Sequence, residues 1–67
     1  MENLINQANT NLTESNMRGV TLEARERNAE FPVTISTHPT SGHGNLVAIY
    51  EGETFLFNYD LDADVVF

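Results

Sequence analysis

Two histidines and one serine within a glycine-rich segment are the residues of this chain whose types best suit catalysis. His38 and His43 are five positions apart, with Ser41 between them. Such side chains could hold a metal ion or place a base beside a nucleophile. A metal would need a third ligand from a distant acid such as Asp60 or Asp62, and the spacing matches no recognised zinc pattern. We interpret the segment as a loop between strands and predict neither an enzyme nor a metal or cofactor site.

Three alternate aspartates near the end of the sequence have two chemical interpretations. Asp60, Asp62 and Asp64 are spaced like the start of a calcium-binding loop, in which acids at positions one, three and five supply oxygen ligands. The sixth position of such a loop must be glycine for its sharp turn, and here it is Val65. Calcium is therefore not predicted. In an extended strand the same carboxylates would form an anionic row on one face, at intervals of about 6.6 Å.

The charge of the chain favours a basic partner. Ten acidic and three basic residues among 67 give a net charge of −7. Direct binding to nucleic acid or to an anionic membrane needs several basic contacts, so we exclude both. From Phe31 onward there are five acids and no lysine or arginine. We predict that these acids contact a larger protein with a basic surface. The alternative is that they serve only to keep the protein soluble. The five acids are Glu51, Glu53, Asp60, Asp62 and Asp64.

The size of the chain allows one small domain and leaves little room for an enclosed active site. A chain this short buries only about 60 % of its unfolded surface. There is no cysteine, and the longest apolar runs are far below the 18 or more residues that a membrane helix needs. The first 17 residues carry no positive charge and no apolar block, so they are not a secretory signal. We expect a cytoplasmic protein.

The first 31 residues are predicted to be mainly helical. Apolar residues of the first 17 positions recur at helical spacing, and Gly19 stands where a helix C-cap would be. Because asparagine and threonine are frequent in this stretch, an arm that is disordered until it binds is the alternative. Residues 22–30 are strong helix formers with Thr21 as N-cap, although residues 20–25 also alternate like a short strand. Pro32 ends this segment.

The second half, residues 32–67, is predicted to be a hairpin-rich sheet. Two apolar runs, 46–50 and 54–59, flank a short turn at Gly52, which indicates a β-hairpin. Phe55, Phe57 and Tyr59 would share one face of the second strand and form a wall of the core. The alternative is an aromatic contact patch made of Tyr50, Phe55, Phe57 and Phe67. The last five residues could add a further strand. The expected fold class is α+β, with one or two N-terminal helices on a three- or four-stranded antiparallel sheet.

Two functions fit these observations. The first is an inhibitor that occupies a basic, often nucleic-acid-binding, surface of a larger partner. Phage-encoded inhibitors of host defence, such as anti-CRISPR proteins, share this size and charge. Electrostatic complementarity would steer association, and an apolar anchor would set the lifetime of the complex. The alternative is a structural or regulatory subunit that self-associates as a homodimer, through the hairpin edge or residues 65–67.

Overall fold

A computed structural model describes residues 3–8, 10–37 and 46–67 of the chain. In these ranges it contains one helix and five strands, which confirms the α+β fold class. In chain order the elements are β1 (Leu4–Asn6), α1 (Glu14–Glu26), β2 (Val33–Thr37), β3 (Leu46–Glu51), β4 (Thr54–Asp60) and β5 (Val65–Val66).

The five strands form one mixed sheet. Their spatial order follows the chain, β1-β2-β3-β4-β5. Strands β2 to β5 pair antiparallel, whereas β1 pairs parallel to β2 because the chain returns through α1 before β2 begins. The prediction of a wholly antiparallel sheet of three or four strands is therefore wrong in its details. The sheet has five strands, and its parallel strand β1 forms in a stretch that was predicted to be helical.

The helix predicted over the first 17 residues is wrong, since the chain forms β1 there and α1 begins only at Glu14. Asn6 uses its own side chain to satisfy the backbone: Oδ1 accepts from the N–H of Ala8, and the amide group donates to the carbonyl of Thr10. Thr13 and Asn16 then form a capping box, each side chain accepting from the other's backbone N–H. Competition by asparagine and threonine side chains thus prevents an earlier start.

One continuous helix replaces the two predicted helical segments. Gly19 and Thr21, which were expected to be a C-cap and an N-cap, both lie inside α1, and the hydroxyl of Thr21 donates to the carbonyl of Met17. The helix ends at its C-cap Arg27, and Asn28 follows in the left-handed region with φ 58°. Within the described ranges, no helix is long and apolar enough to cross a membrane.

The helix covers one face of the sheet and closes the core. Val20 and Ala24 of α1 are fully buried against the sheet. Burial of apolar side chains is the main favourable term in folding, so this layer holds the helix on the sheet. The buried sheet residues of the same cluster are Val33, Ile35, Val47, Ile49, Phe57 and Tyr59.

The predicted hairpin is confirmed, but an irregularity in it changes which aromatic rings are buried. Strands β3 and β4 pair around a turn in which Gly52 has φ 61°. Ile49 lies opposite Phe57 while the next residue, Tyr50, lies opposite Phe55, so Leu56 is an extra residue on β4. Such a bulge interrupts the alternation of side chains. Phe57 and Tyr59 are buried as expected, whereas Phe55 turns to the other face and is 51 % exposed.

Candidate protein-binding surface

The segment with His38, Ser41 and His43, which the sequence predicts to be a loop, lies outside the described residues. In the part of the chain that is described, no group of three or more histidine, cysteine, aspartate or glutamate side chains could hold a metal ion. The geometry therefore directs attention to the acids and to the surface of the sheet.

The predicted row of three aspartates is not formed, because residues 61–64 make a turn rather than an extended strand. Asp60 is the last residue of β4, and its Oδ1 accepts from the backbone N–H groups of Asp62 and Ala63, at 2.9 and 3.1 Å. Asp62 is exposed in this turn, and Asp64 has a left-handed backbone with φ 62°. Side-chain bonding by Asp60 favours a turn at the point where the sequence alternation suggested a strand.

Asp64 joins the start of the helix to the β4–β5 turn. Its carboxylate accepts from the hydroxyl of Ser15, from Nδ2 of Asn16 at 2.8 Å and from the hydroxyl of Tyr59 at 2.9 Å. Asn16 is itself buried and also donates to the carbonyl of Leu61 at 3.0 Å. Asp64 therefore has a structural role in the native fold, and the spacing of the aspartates gave no sign of it.

These contacts shift the pKa values of Asp64 and Tyr59 in opposite directions. The hydrogen bonds from Ser15, Asn16 and Tyr59 lower the pKa of Asp64 below its usual value, because they stabilise the carboxylate. Burial, followed by the hydrogen bond to Asp64, raises the pKa of Tyr59 from 10.0 to about 12. The network thus contains an ionised carboxylate and a neutral phenol at ordinary pH.

The two glutamates of the hairpin end have different surroundings. The Glu51 carboxylate accepts from the backbone N–H of Glu30 at 2.8 Å, which ties the hairpin to the segment after α1. Glu53 is exposed in the turn. The five acids predicted to contact a partner therefore do not make one continuous anionic row, and their part in binding stays a prediction.

The face of the sheet opposite α1, here called the open face, carries a row of mainly apolar side chains. Ile5, Thr34, Tyr50 and Phe55 lie opposite one another across β1, β2, β3 and β4. Ile5 is 45 % exposed and Phe55 is 51 % exposed. The rings of Tyr50 and Phe55 meet edge to face, with centroids 5.8 Å apart and planes at 74°. The helix α1 packs on the other face of the sheet.

The next row of the open face is made of small and polar residues. Ser36, Ala48 and Asn58 lie opposite one another across β2, β3 and β4. Ala48 is only 2 % exposed, and the Oδ1 atom of Asn58 is buried with no hydrogen-bond partner among the residues that the structure describes. Beyond this row, Asp60 lies between Leu46 and Val65.

The basic residues lie on the other side of the sheet. Arg18 and Arg25 belong to α1, and Arg27 is its C-cap. Arg27 donates from Nε to a Glu23 carboxylate oxygen at 2.6 Å, and its guanidinium carbon lies 5.0 Å from the centre of the Phe57 ring. In the described part of the chain, the three rows of the open face include one charged residue, Asp60, and no lysine or arginine.

Comparison of the chain with protein families, with curated proteins and with solved structures finds no match. The open face is therefore interpreted from its own geometry. Sequence alternation could have indicated a second sheet face, but the exposure of Phe55 depends on the bulge at Leu56, which alternation does not predict.

Proposed function

We propose that this protein is a protein-binding module whose open face docks on a larger partner with a basic surface. The observation that supports this most directly is the row from Ile5 to Phe55, in which exposed apolar side chains lie on a face without lysine or arginine among the described residues. Aromatic residues in such patches often contribute most of the binding free energy.

The charge distribution supports a basic partner rather than a second copy. The chain carries a net charge of −7, and its arginines lie on the helix side. Two copies carry the same net charge of −7 and would repel each other on approach. A basic surface would instead be attracted, and exposed acids such as Glu53 and Asp62 would mainly accelerate its approach.

Inhibition would follow if the partner uses its basic surface to bind nucleic acid. Proteins that bind nucleic acid carry clustered lysine and arginine that contact phosphate. A copy of this protein docked on that cluster would exclude the phosphates and would itself make no contact with nucleic acid. The proposed function is therefore an inhibitor of a nucleic-acid-binding protein.

Two exposed side chains on opposite sides of the molecule allow a matched test. Phe55 on the open face is 51 % exposed and Leu22 on the helix is 54 % exposed. We would capture partners from a lysate of the encoding organism with the tagged wild type, Phe55→Ser and Leu22→Ser, at low and high salt. The proposal expects a basic protein that Leu22→Ser retains, Phe55→Ser loses and high salt weakens.

A competition measurement then tests inhibition. The purified partner should bind nucleic acid less tightly as the wild-type protein is added, and Phe55→Ser should have no effect. Equal capture by Phe55→Ser and the wild type would contradict docking by the open face. Capture that high salt leaves unchanged would contradict the basic partner.

Self-association is a second candidate function, favoured by the exposed edge strand β5. Val65 is 51 % exposed and Val66 is 38 % exposed. Two-stranded pairing of β5 across a two-fold axis would cover both residues. Sedimentation of the wild type and of Val66→Lys distinguishes this candidate: a dimer that persists at high salt and is lost in Val66→Lys supports it, and a monomer at all concentrations rejects it.

A further inference from the structure

The hairpin end of the open face combines an aromatic pair with acidic residues. Tyr50 ends the apolar part of β3 and Phe55 begins that of β4, so the turn between them brings Glu53 to the same end of the sheet. The two rings meet edge to face, and half of the Phe55 side chain is exposed. An exposed aromatic face near a carboxylate attracts a cation that can lie flat on the ring.

We propose that the Tyr50–Phe55 pair, together with Glu53 of the adjoining turn, is a subsite for an arginine side chain of the partner. The inference rests on the proposed function and names the group that the open face recognises. A guanidinium is planar and weakly hydrated, so it stacks on an aromatic ring and still donates hydrogen bonds at its edge to a carboxylate. An ammonium group is more strongly hydrated and gains less from the ring.

The same chain already holds one guanidinium in this manner on the other side of the sheet. Arg27 lies over Phe57, with 5.0 Å from its guanidinium carbon to the ring centre, and its Nε donates to Glu23 at 2.6 Å. Aromatic ring, carboxylate and guanidinium thus form a complete set there. At the hairpin end, the ring pair and an acid are present, and the arginines of the chain lie on the helix side. Charge complementarity between this acidic chain and a basic partner therefore assigns the corresponding guanidinium to the partner.

A titration with two short peptides tests the subsite directly. Hexa-arginine and hexa-lysine carry the same charge, so only the shape and hydration of the cation differ. We would follow the ring-proton NMR signals of Tyr50 and Phe55 during each titration. We expect both rings to shift with hexa-arginine, and hexa-lysine to bind less tightly by about two- to five-fold.

Matched variants separate the ring and the nearby acid from general attraction. Phe55→Leu keeps an apolar side chain but removes the ring, and should weaken hexa-arginine binding by about two- to five-fold. Phe55→Tyr keeps a ring and should bind as the wild type does. Glu53→Gln and Asp62→Asn each remove one exposed negative charge. Asp62→Asn should show the effect of the lower net charge alone, and Glu53→Gln should weaken hexa-arginine binding by more than that. Circular dichroism checks that every variant is folded.

The outcomes distinguish this inference from the proposed function. Equal affinity of the protein for both peptides would overturn the arginine subsite. It would also be overturned if Glu53→Gln and Asp62→Asn lost equal affinity for hexa-arginine while Phe55→Leu lost none. The capture experiment with Phe55→Ser and Leu22→Ser would then still decide docking by the open face. If Phe55→Ser captures the partner as well as the wild type does, the proposed function fails, whatever the peptides show.

Discussion

Gly19 of the helix and Tyr59 of β4 are in such close contact that a side chain at position 19 would occupy the place of the Tyr59 hydroxyl. A Cβ atom built on Gly19 would overlap that oxygen and lie 2.9 Å from Cζ of the same ring. The hydroxyl in turn donates to Asp64. The absence of a side chain at position 19 therefore allows α1 to approach the sheet closely enough for the network at Asp64 to form.

Replacing Gly19 with alanine should destabilise the protein even though alanine is the better helix former. In an exposed helix interior this change adds about 1 kcal/mol of stability. Here the added methyl group must displace the Tyr59 ring, and overpacking of this kind costs about 1–3 kcal/mol. We expect a net loss in the free energy of unfolding, measured by urea denaturation. A gain in stability would show that the helix does not approach Tyr59 this closely.

A second substitution identifies the clash as the cause. Tyr59→Phe removes the oxygen that overlaps the added methyl group, so Gly19→Ala should cost less in the Tyr59→Phe background than in the wild type. Met17→Ala, at a 44 % exposed position of the same helix, serves as the control and should change stability by less than about 0.5 kcal/mol. Equal costs of Gly19→Ala in both backgrounds would assign its effect to something other than the hydroxyl.

The parts of the fold that could be predicted from the sequence depend on local signals, and the parts that could not depend on distant contacts. The β3–β4 hairpin follows from two apolar runs around Gly52. Strand β1 has only three residues, and the chain just after it is held by Ile35, whose carbonyl accepts from the N–H groups of Gln7 and Ala8. Gly19 resembles a C-cap locally, while its actual role is set by Tyr59, forty positions away in the sequence.

The candidate surface could be predicted only in part for the same reason. Alternation places Phe55 with Phe57 and Tyr59, and one extra residue at Leu56 moves it to the opposite face. Alternate aspartates suggest an anionic row, yet Asp60 and Asp64 are used to build the turn. The overall acidity and its concentration after Phe31 are visible in the sequence, because they need no three-dimensional information.

Acid should destabilise the protein partly through Asp64. The pKa of this carboxyl is lower in the folded state than its usual 3.8, chiefly because Ser15 donates to it. Its contribution to stability is therefore present above about pH 4 and is lost as the pH falls through the folded pKa. Asp64→Asn should be less stable than the wild type at pH 7, and the difference should shrink towards pH 2. Urea denaturation across this range measures it.

Ser15→Ala provides the intermediate case. It removes the largest cause of the lowered pKa and leaves the donors Asn16 and Tyr59 in place. The carboxyl of Asp64, followed by NMR, should therefore titrate at a higher pH than in the wild type but still below its usual value. A difference between the wild type and Asp64→Asn that is the same at pH 7 and pH 2 would contradict the role of the ionised carboxylate.

Alkaline pH should weaken the fold through Tyr59. The folded pKa of this phenol is about 12 against an ordinary 10.0, so the unfolded state loses its proton first. The stabilising contribution is complete below pH 10 and falls by about 1.4 kcal/mol per pH unit between pH 10 and 12. Unfolding experiments at pH 9, 10 and 11 should show this loss in the wild type and a flatter profile in Tyr59→Phe. If stability fell equally with pH in the wild type and in Tyr59→Phe, the raised pKa of Tyr59 would not be the cause of the loss.

Asn58 should limit the stability of the isolated protein. Its Oδ1 atom is buried without a partner in the described part of the chain, and such a group costs about 1–3 kcal/mol. Valine at this position removes the unpaired acceptor and also favours a strand. We therefore expect Asn58→Val to raise the free energy of unfolding by about 1 kcal/mol in guanidinium denaturation. Asn58→Asp, which keeps the oxygen and adds a charge, should lower it. A valine variant no more stable than the wild type would indicate that the Asn58 side chain is hydrogen-bonded in solution.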